Sequence, residues 1–480
     1  MENKYIEKLA LLLLLTTFLP VSLFAGEPVN EESEIQKLDE RITDVEIRSL
    51  ADHVNIGLDM KIESTILNDK TQNAGLDPAT GNTAAYKATS NHGNINSLLF
   101  RLNMDSKIGN RISVYASAES LSFFNDSFYY NTPNVNNREY QTKGEKLSIT
   151  KAYFDWRLYE NWVTFSAGRL PTTQGPPAHI KDGVNREGTY PTTAYSMPLD
   201  GFALTTKLSD PLEMKDSLIL RLIYKPGGYV NSNYPQLGTS LGNPVLTNLR
   251  TMDSSLSTAM LEYEQVNPSH GLWNRMLAIV QYGFYKFGSP PAGYGFGPDG
   301  TGNNTVYLYY FDNPKFLEAR VLSPYLEFNK IFRTQLDLYA TATIDRTETF
   351  SNLYVQLPTG LGGKTSKGSL LHPGKARGTR LLTGARYEFP NKYFLGFEYM
   401  RAGENTLPTN MYTNNGFSTN YNNGNSQEVY LLKNMYNDNF IVRLGYTHLN
   451  VTSNLSANQV NFTNTDEKIN VGTLSFNIKI

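Results

Sequence analysis

The chain has 480 residues, of which 40% are hydrophobic and 18% charged, and its formal net charge is −2. Near-neutrality without a concentrated basic face argues against nucleic-acid binding, and the absence of cysteine excludes disulfides, thiolate zinc sites and covalently held c-type haem. A bundle of membrane-spanning helices is excluded too, because each helix needs about 20 consecutive apolar residues and only the first segment approaches that.

The N-terminus carries Lys4 and Lys8, then the apolar run Leu9 to Phe24, then Ala25-Gly26. A basic region, an apolar region and a small residue at a cleavage point predict a signal peptide over residues 1–25, although Leu23 is large for its place before the cut. Pro20 interrupts the run, which disfavours the alternative of a retained anchor helix. Residues 26–52 follow, rich in charge, with Ile35, Leu38, Ile42 and Val45 at helical three-four spacing. Roughly two heptads are too few for an isolated coiled coil. A helix at the periplasmic mouth, a self-association segment and a partly disordered linker all fit this stretch.

From His53 the period changes to two. Val54, Ile56, Leu58, Met60 and Ile62 alternate with Asn55, Gly57, Asp59, Lys61 and Glu63. Strands with one apolar and one polar face require this pattern. It returns at Leu98–Asp105, Ile112–Glu119, Lys151–Leu158, Gln335–Ala342 and Phe440–Thr447. Short turns are predicted near Gly109, Glu160, Pro211, Pro268, Lys330, Pro390 and Asp438. Long polar connections fall at about 65–95, 123–146, 170–199, 226–255, 288–315, 345–378, 402–427 and 450–467. Short and long alternate without a break, as when one rim of a transmembrane barrel faces the periplasm through tight turns and the other extends loops outward. Residues 53–480 are therefore expected to be all-β: a transmembrane antiparallel β-barrel of about 16 strands, with both termini periplasmic. Hydrocarbon offers no hydrogen-bond partner, so such a sheet must close.

The C-terminal run Asn470 to Ile480 keeps alternate apolar residues to its last position. It resembles the terminal strand by which outer-membrane proteins are recognised by the barrel-insertion machinery, except that Ile480 replaces the usual final aromatic. Tyr159, Trp162, Phe389, Tyr393, Tyr436 and Phe440 lie beside the short turns and read as a periplasmic-side girdle at headgroup level, with strand-end packing as the alternative.

This layout resembles general bacterial porins. More narrowly, a signal peptide, a short charged helix and a barrel resemble an uncharacterised family of porin-like outer-membrane proteins of Gram-negative bacteria. The stretch Gly168-Arg169-Leu170-Pro171-Thr172-Thr173-Gln174-Gly175-Pro176-Pro177, followed by Thr189-Tyr190-Pro191, carries that resemblance. The family has no assigned substrate. General porins fold their third loop inward, so the segment about 170–199, with Lys181, Asp182, Arg186 and Glu187, is the candidate constriction. An outward, solvated loop is the competing reading.

The other pore-lining candidates are Arg169, Arg101, Asp105, Lys151, Asp155, Arg157 and Arg443. Arg221, Arg386, Glu119, Glu262, Asp337 and Glu388 share the polar faces, and the balance of signs predicts no charge preference. The six histidines (His53, His92, His179, His270, His372 and His448) show no metal-ligand spacing, and His448, without a nucleophile elbow or triad order, reads as a lumenal polar residue. The Gly-rich run from Gly288 lacks the Lys-Ser/Thr of a phosphate loop.

The expected function is a diffusion channel for small hydrophilic solutes in the outer membrane, with no enzymatic role and no cofactor. Expected partners are outer-membrane lipid and lipopolysaccharide, the insertion machinery, the solutes and further copies of the chain. A sheath around a multihaem cytochrome and a surface-display adhesin are the alternatives.

Overall fold

The computed structural model describes residues 54–76, 83–85, 89–123, 147–160, 162–194, 196, 199–227, 229–236, 245–252, 254–268, 271–288, 293–298, 304–311, 315–350, 353–356, 374–403, 406, 424–453 and 463–480. The predicted signal peptide and the helical segment 26–52 lie outside them. No helix among the described residues is long and apolar enough to cross a membrane.

The main sheet has seventeen strands, one of which, Thr83–Ala85, pairs only with the end of its neighbour. The other sixteen form the barrel. They are β1 (Val54–Leu76), β2 (Thr89–Ile108), β3 (Ile112–Phe123), β4 (Leu147–Tyr159), β5 (Val163–Leu170), β6 (Leu199–Lys207), β7 (Ser217–Lys225) and β8 (Ser255–Val266). The second half comprises β9 (Arg275–Gly288), β10 (Lys315–Asn329), β11 (Leu336–Thr349), β12 (Gly374–Phe389), β13 (Tyr393–Ala402), β14 (Gly424–Met435), β15 (Phe440–Ser453) and β16 (Thr463–Lys479).

Every strand pairs with its sequence neighbours, and β1 pairs antiparallel with β16 from Asp59 opposite Lys479 to Gly75 opposite Thr463. The sheet is thus a closed sixteen-strand antiparallel barrel with no free edge. Two backbone bonds, Leu58 N to Ile480 O (2.9 Å) and Ile480 N to Leu58 O (2.8 Å), fasten the C-terminus into the seam. The terminal aromatic that Ile480 replaces is therefore not needed to complete the ladder.

Alternation determines the faces. Phe154, Trp156, Phe202, Leu222, Val280, Leu381, Phe397, Val429 and Leu444 all expose their side chains on the outside. A continuous apolar band around the wall exceeds by far what a soluble monomer presents, and it is the surface a transmembrane barrel turns to lipid. The opposite parity carries Glu63, Arg101, Glu119, Glu262, Glu327, Asp337, Glu398, Glu428 and Arg443, all buried within the lumen.

The seven predicted short turns fall between β2 and β3, β4 and β5, β6 and β7, β8 and β9, β10 and β11, β12 and β13, and β14 and β15, where consecutive strands are separated by at most nine residues. Several take left-handed backbone, including Gly109 (φ 60°), Asn391 (φ 63°) and Asp438 (φ 68°), residue types that tolerate it. On the other rim the strands run further than the alternation indicates. β1 continues to Leu76 and β2 starts at Thr89, inside the connection expected at 65–95, while β15 reaches Ser453 and β16 begins at Thr463. Above the hydrocarbon layer the hydrogen-bond ladder continues, but the outward face no longer needs apolar side chains, so the pattern fades before the strand ends. Three of the long connections also form ribbons: Tyr229–Gln236 pairs with Val245–Met252, and Gly293–Pro298 pairs with Asn304–Phe311, which pairs in turn with Leu353–Gln356 of the connection after β11.

Candidate functional site

The connection between β5 and β6 folds into the lumen. Its path is set first by close backbone contact within the loop. A side chain at Gly175 would place its Cβ 1.6 Å from the Tyr190 carbonyl oxygen, and one at Gly188 would lie 2.3 Å from that of Thr173. Only glycine allows the two arms to approach so closely. Thr192 N donates to Pro176 O (2.8 Å), closing the stem. Between the arms lies one short helix, α1 (Ala178–Asp182), ended by Gly183 in left-handed conformation (φ 68°) with Val184 N donating to His179 O.

Two apolar contacts seat the loop. Ile180, 1% exposed, joins a buried lumenal cluster with Met260, Leu277, Ile279, Tyr325, Tyr339, Leu382 and Met400, contributed by β8 to β13. Tyr190, fully buried, packs with Leu170, Leu199, Ala203, Ile223, Leu256 and Tyr285 on the neighbouring arc. The lumenal wall of this half of the barrel is therefore covered by the loop.

Around these anchors, each charged side chain of the loop meets its opposite on the wall. Lys181 bonds Glu398 (3.3 Å) and Glu428, and Glu428 also pairs with Arg443. Asp182 stands 3.8 Å from Arg443. Arg186 and Arg221 share Glu262, each at 2.9 Å. Glu187 accepts from Arg101 through both oxygens (3.0 Å) and from Lys151 (3.0 Å), while Arg101 also holds Glu119. His179 Nε2 lies 3.1 Å from Glu327, which pairs with Arg275 as well. Backbone contacts add to these: Arg386 donates to Ile180 O (2.8 Å) and Arg380 to Thr193 O (3.3 Å).

The loop's own charges are stabilised accordingly. Burial disfavours the Glu187 carboxylate, but Arg101 and Lys151 outweigh it and hold the group below the usual carboxylate range. Burial likewise works against the Lys181 ammonium, and Glu398 with Glu428 more than reverses this, so it stays protonated well above the ordinary lysine range.

Of the pore-lining candidates, seven lie where the loop meets the wall, in three separate clusters: Arg101 and Lys151 with Glu187, Lys181 and Asp182 with the Glu428–Arg443 pair, and Arg186 with Glu262. Asp105, Asp155 and Arg157 do not reach them. They occupy the short-turn half of the wall, where Asp105 accepts from Asn55, Asp155 from Ser166, and Arg157 donates to Asn110 O.

Arg169 departs from expectation. It stands opposite Ala152 on the outward parity and forms a two-bond ion pair with Asp200 (2.7 and 2.8 Å). His448 departs in the same way, sharing the outward face of Leu444 and Tyr446 and bonding Asn470. Glu327, Glu398, Glu428 and Arg380, which do face the loop, were not among the sequence candidates. Glu398 lies in a run, Phe394 to Met400, apolar on both parities, and only its inward register marks it.

The loop leaves a cleft on the remaining arc. It is lined by Asp59, Lys61, Leu99, Arg101, Asp182, Val184, Glu187 and Lys479, where β1, β2 and β16 face the loop, and has a volume of about 50 Å³. That admits a few water molecules side by side, at about 10–15 Å³ each on this measure. Its walls carry both signs of charge.

A family described only as a protein of unknown function (DUF3373) matches residues 85–232, which span β2 to β7 and the inward loop. No curated protein matches the chain in sequence. Among solved structures, OprB of Pseudomonas putida in its high-pH form is similar at TM-score 0.44 and 11% identity, over 90% of this chain and 96% of that one. OmpT of Vibrio cholerae, an in-vitro folded outer-membrane protein in its trimer form, is similar at TM-score 0.38 and 10% identity, over 89% of this chain and all (100%) of that one.

Proposed function

We propose that the chain is an outer-membrane channel, exported by its signal peptide with both termini periplasmic, in which residues 171–194 constrict the lumen. Small hydrophilic solutes and ions pass through the cleft between that loop and the β1, β2 and β16 wall. The observation that carries this reading is asymmetric occupation. One side of the lumen is sealed by Ile180, Tyr190 and their ion-paired neighbours, and the other retains a charged, solvent-sized cleft. Positive Lys61, Arg101 and Lys479 face negative Asp59, Asp182 and Glu187 there, so the cleft filters by size and polarity more than by net charge.

The folded chain in planar bilayers should give small stepwise ohmic conductance. Replacing residues 176–188 by a short Gly-Ser linker should raise it severalfold. A correctly folded barrel that stays silent with and without the loop would refute the channel reading. Filling of the lumen by the chain's own loop counts against a sheath around a haem protein, since both would occupy the same space.

A further inference from the structure

The outward face of β10 to β12 carries a row of three arginines. Arg320 lies directly opposite Arg346, and Arg346 directly opposite Arg377. All three are exposed. They share parity with Leu322 and Leu326 on β10 and with Leu381 on β12, which belong to the apolar band. Each lies within five residues of the end of its strand that meets a long connection. The row therefore sits where the apolar band gives way to the outer rim.

Like charges directly opposite on adjacent strands repel, so the row needs an anion. The wall does not provide one. The rung towards the band is Leu322, Ile344 and Thr379. The rung beyond holds Glu318 and Glu348, but Glu318 is taken by Lys315 (2.8 Å) and Lys286 (4.0 Å), and Glu348 by Lys375 (3.7 Å). Among the described residues none of the three arginines has an ion pair. Arg169, the contrasting case on the outside of the barrel, has Asp200.

We propose that Arg320, Arg346 and Arg377 form a binding site for the phosphate groups of the outer leaflet's phosphorylated glycolipid, the lipid A portion of lipopolysaccharide. Neighbouring strands lie about 4.8 Å apart, so the row spans roughly 10 Å along the membrane surface. Each guanidinium presents a planar fork that takes two phosphate oxygens, which a lysine ammonium cannot do. The acyl chains of the same lipid lie along Leu322, Leu326, Leu381 and Phe397 below the row. The site depends on the outer-membrane placement proposed above, but not on conduction.

The test uses the full mature chain folded in detergent, with three probes: bisphosphorylated lipid A, the same lipid with its phosphates removed, and inorganic phosphate. Native mass spectrometry and thermophoresis measure binding to the wild type, to R320Q/R346Q/R377Q and to the paired-arginine control R169Q. The wild type and R169Q should bind bisphosphorylated lipid A at least tenfold more tightly than the triple variant. Dephosphorylated lipid should bind all three proteins weakly, and millimolar inorganic phosphate should not displace the lipid.

Equal binding by the triple variant overturns the proposal, as does equal affinity for dephosphorylated lipid, which would mean apolar contact alone. Competition by inorganic phosphate at similar affinity overturns the lipid assignment in favour of a free-anion site. If the triple variant fails to give a heat-shiftable folded band, the central R346Q replaces it, with at least a threefold loss expected and an unchanged affinity overturning the site. Bilayer conductance of the variants should match the wild type, so a silent channel would bear on the proposed function and not on this site.

Discussion

Replacing Ile180 by alanine should release the lumenal loop, and the size of the effect follows from its packing. The side chain is 1% exposed and belongs to a buried apolar and aromatic cluster on the wall. Truncation removes three carbons, about 2.4 kcal/mol of transfer free energy at about 0.8 kcal/mol each. The void left in a pocket built on rigid strands adds a cavity term, bringing the total to about 3–4 kcal/mol. Because Ile180 lies in the loop and takes no part in the strand ladder, the barrel itself stays intact and the loss falls on loop docking. The population of the undocked loop should then rise by about 100-fold or more, each 1.4 kcal/mol being tenfold. Trypsin provides the assay, since Lys181 and Arg186 are both held against the lumenal wall. When opening is fast, cleavage at these two bonds tracks the open population. Mass spectrometry of the new termini, on samples whose barrel remains folded, measures it. A rise below about threefold would show that Ile180 does not hold the loop.

Three further outcomes are expected. Glu187 has a depressed carboxyl pKa, so its contribution to docking is complete above its unfolded value near 4.5 and is lost as pH falls through the lower folded value. Conductance should therefore show a step in the acid range below about pH 4.5, and E187Q should remove this step. G175A sets a Cβ 1.6 Å from the Tyr190 carbonyl oxygen, an overpacking that costs at least about 1–3 kcal/mol, and should expose the same tryptic bonds without loss of the folded band. L444R places a charge on the lipid-facing wall and should cost about 2–4 kcal/mol in refolding titrations from denaturant into liposomes if Leu444 lies near the midplane. A cost below about 1 kcal/mol would contradict the assignment of Leu444 to the lipid-facing side.

The lumenal site was partly legible in the sequence. Pro-Gly elements and four charged residues marked the segment, but its inward course depends on wall residues far along the chain. Arg386 reaches Ile180 across 206 positions, and Lys181 reaches Glu398 across 217. No local pattern encodes such pairs. Arg169 and His448 show the opposite difficulty. Near the outer rim the outward face meets headgroups and water, so a polar residue there no longer implies the lumen. Their parity with Ala152 and Leu444 settles which way they point.

What the sequence determined by itself is the wall. Alternation of period two, short turns sorted to one side and apolar residues running to Ile480 suffice to specify an antiparallel barrel, because each strand's neighbours in space are its neighbours in sequence and β1 closes on β16. The tertiary structure alone decided the contents of the lumen and the state of each charge. A loop's direction is set by the difference between solvation outside and the apolar pocket and counter-ions inside. That difference exists only once the sixteen strands have brought the two walls face to face.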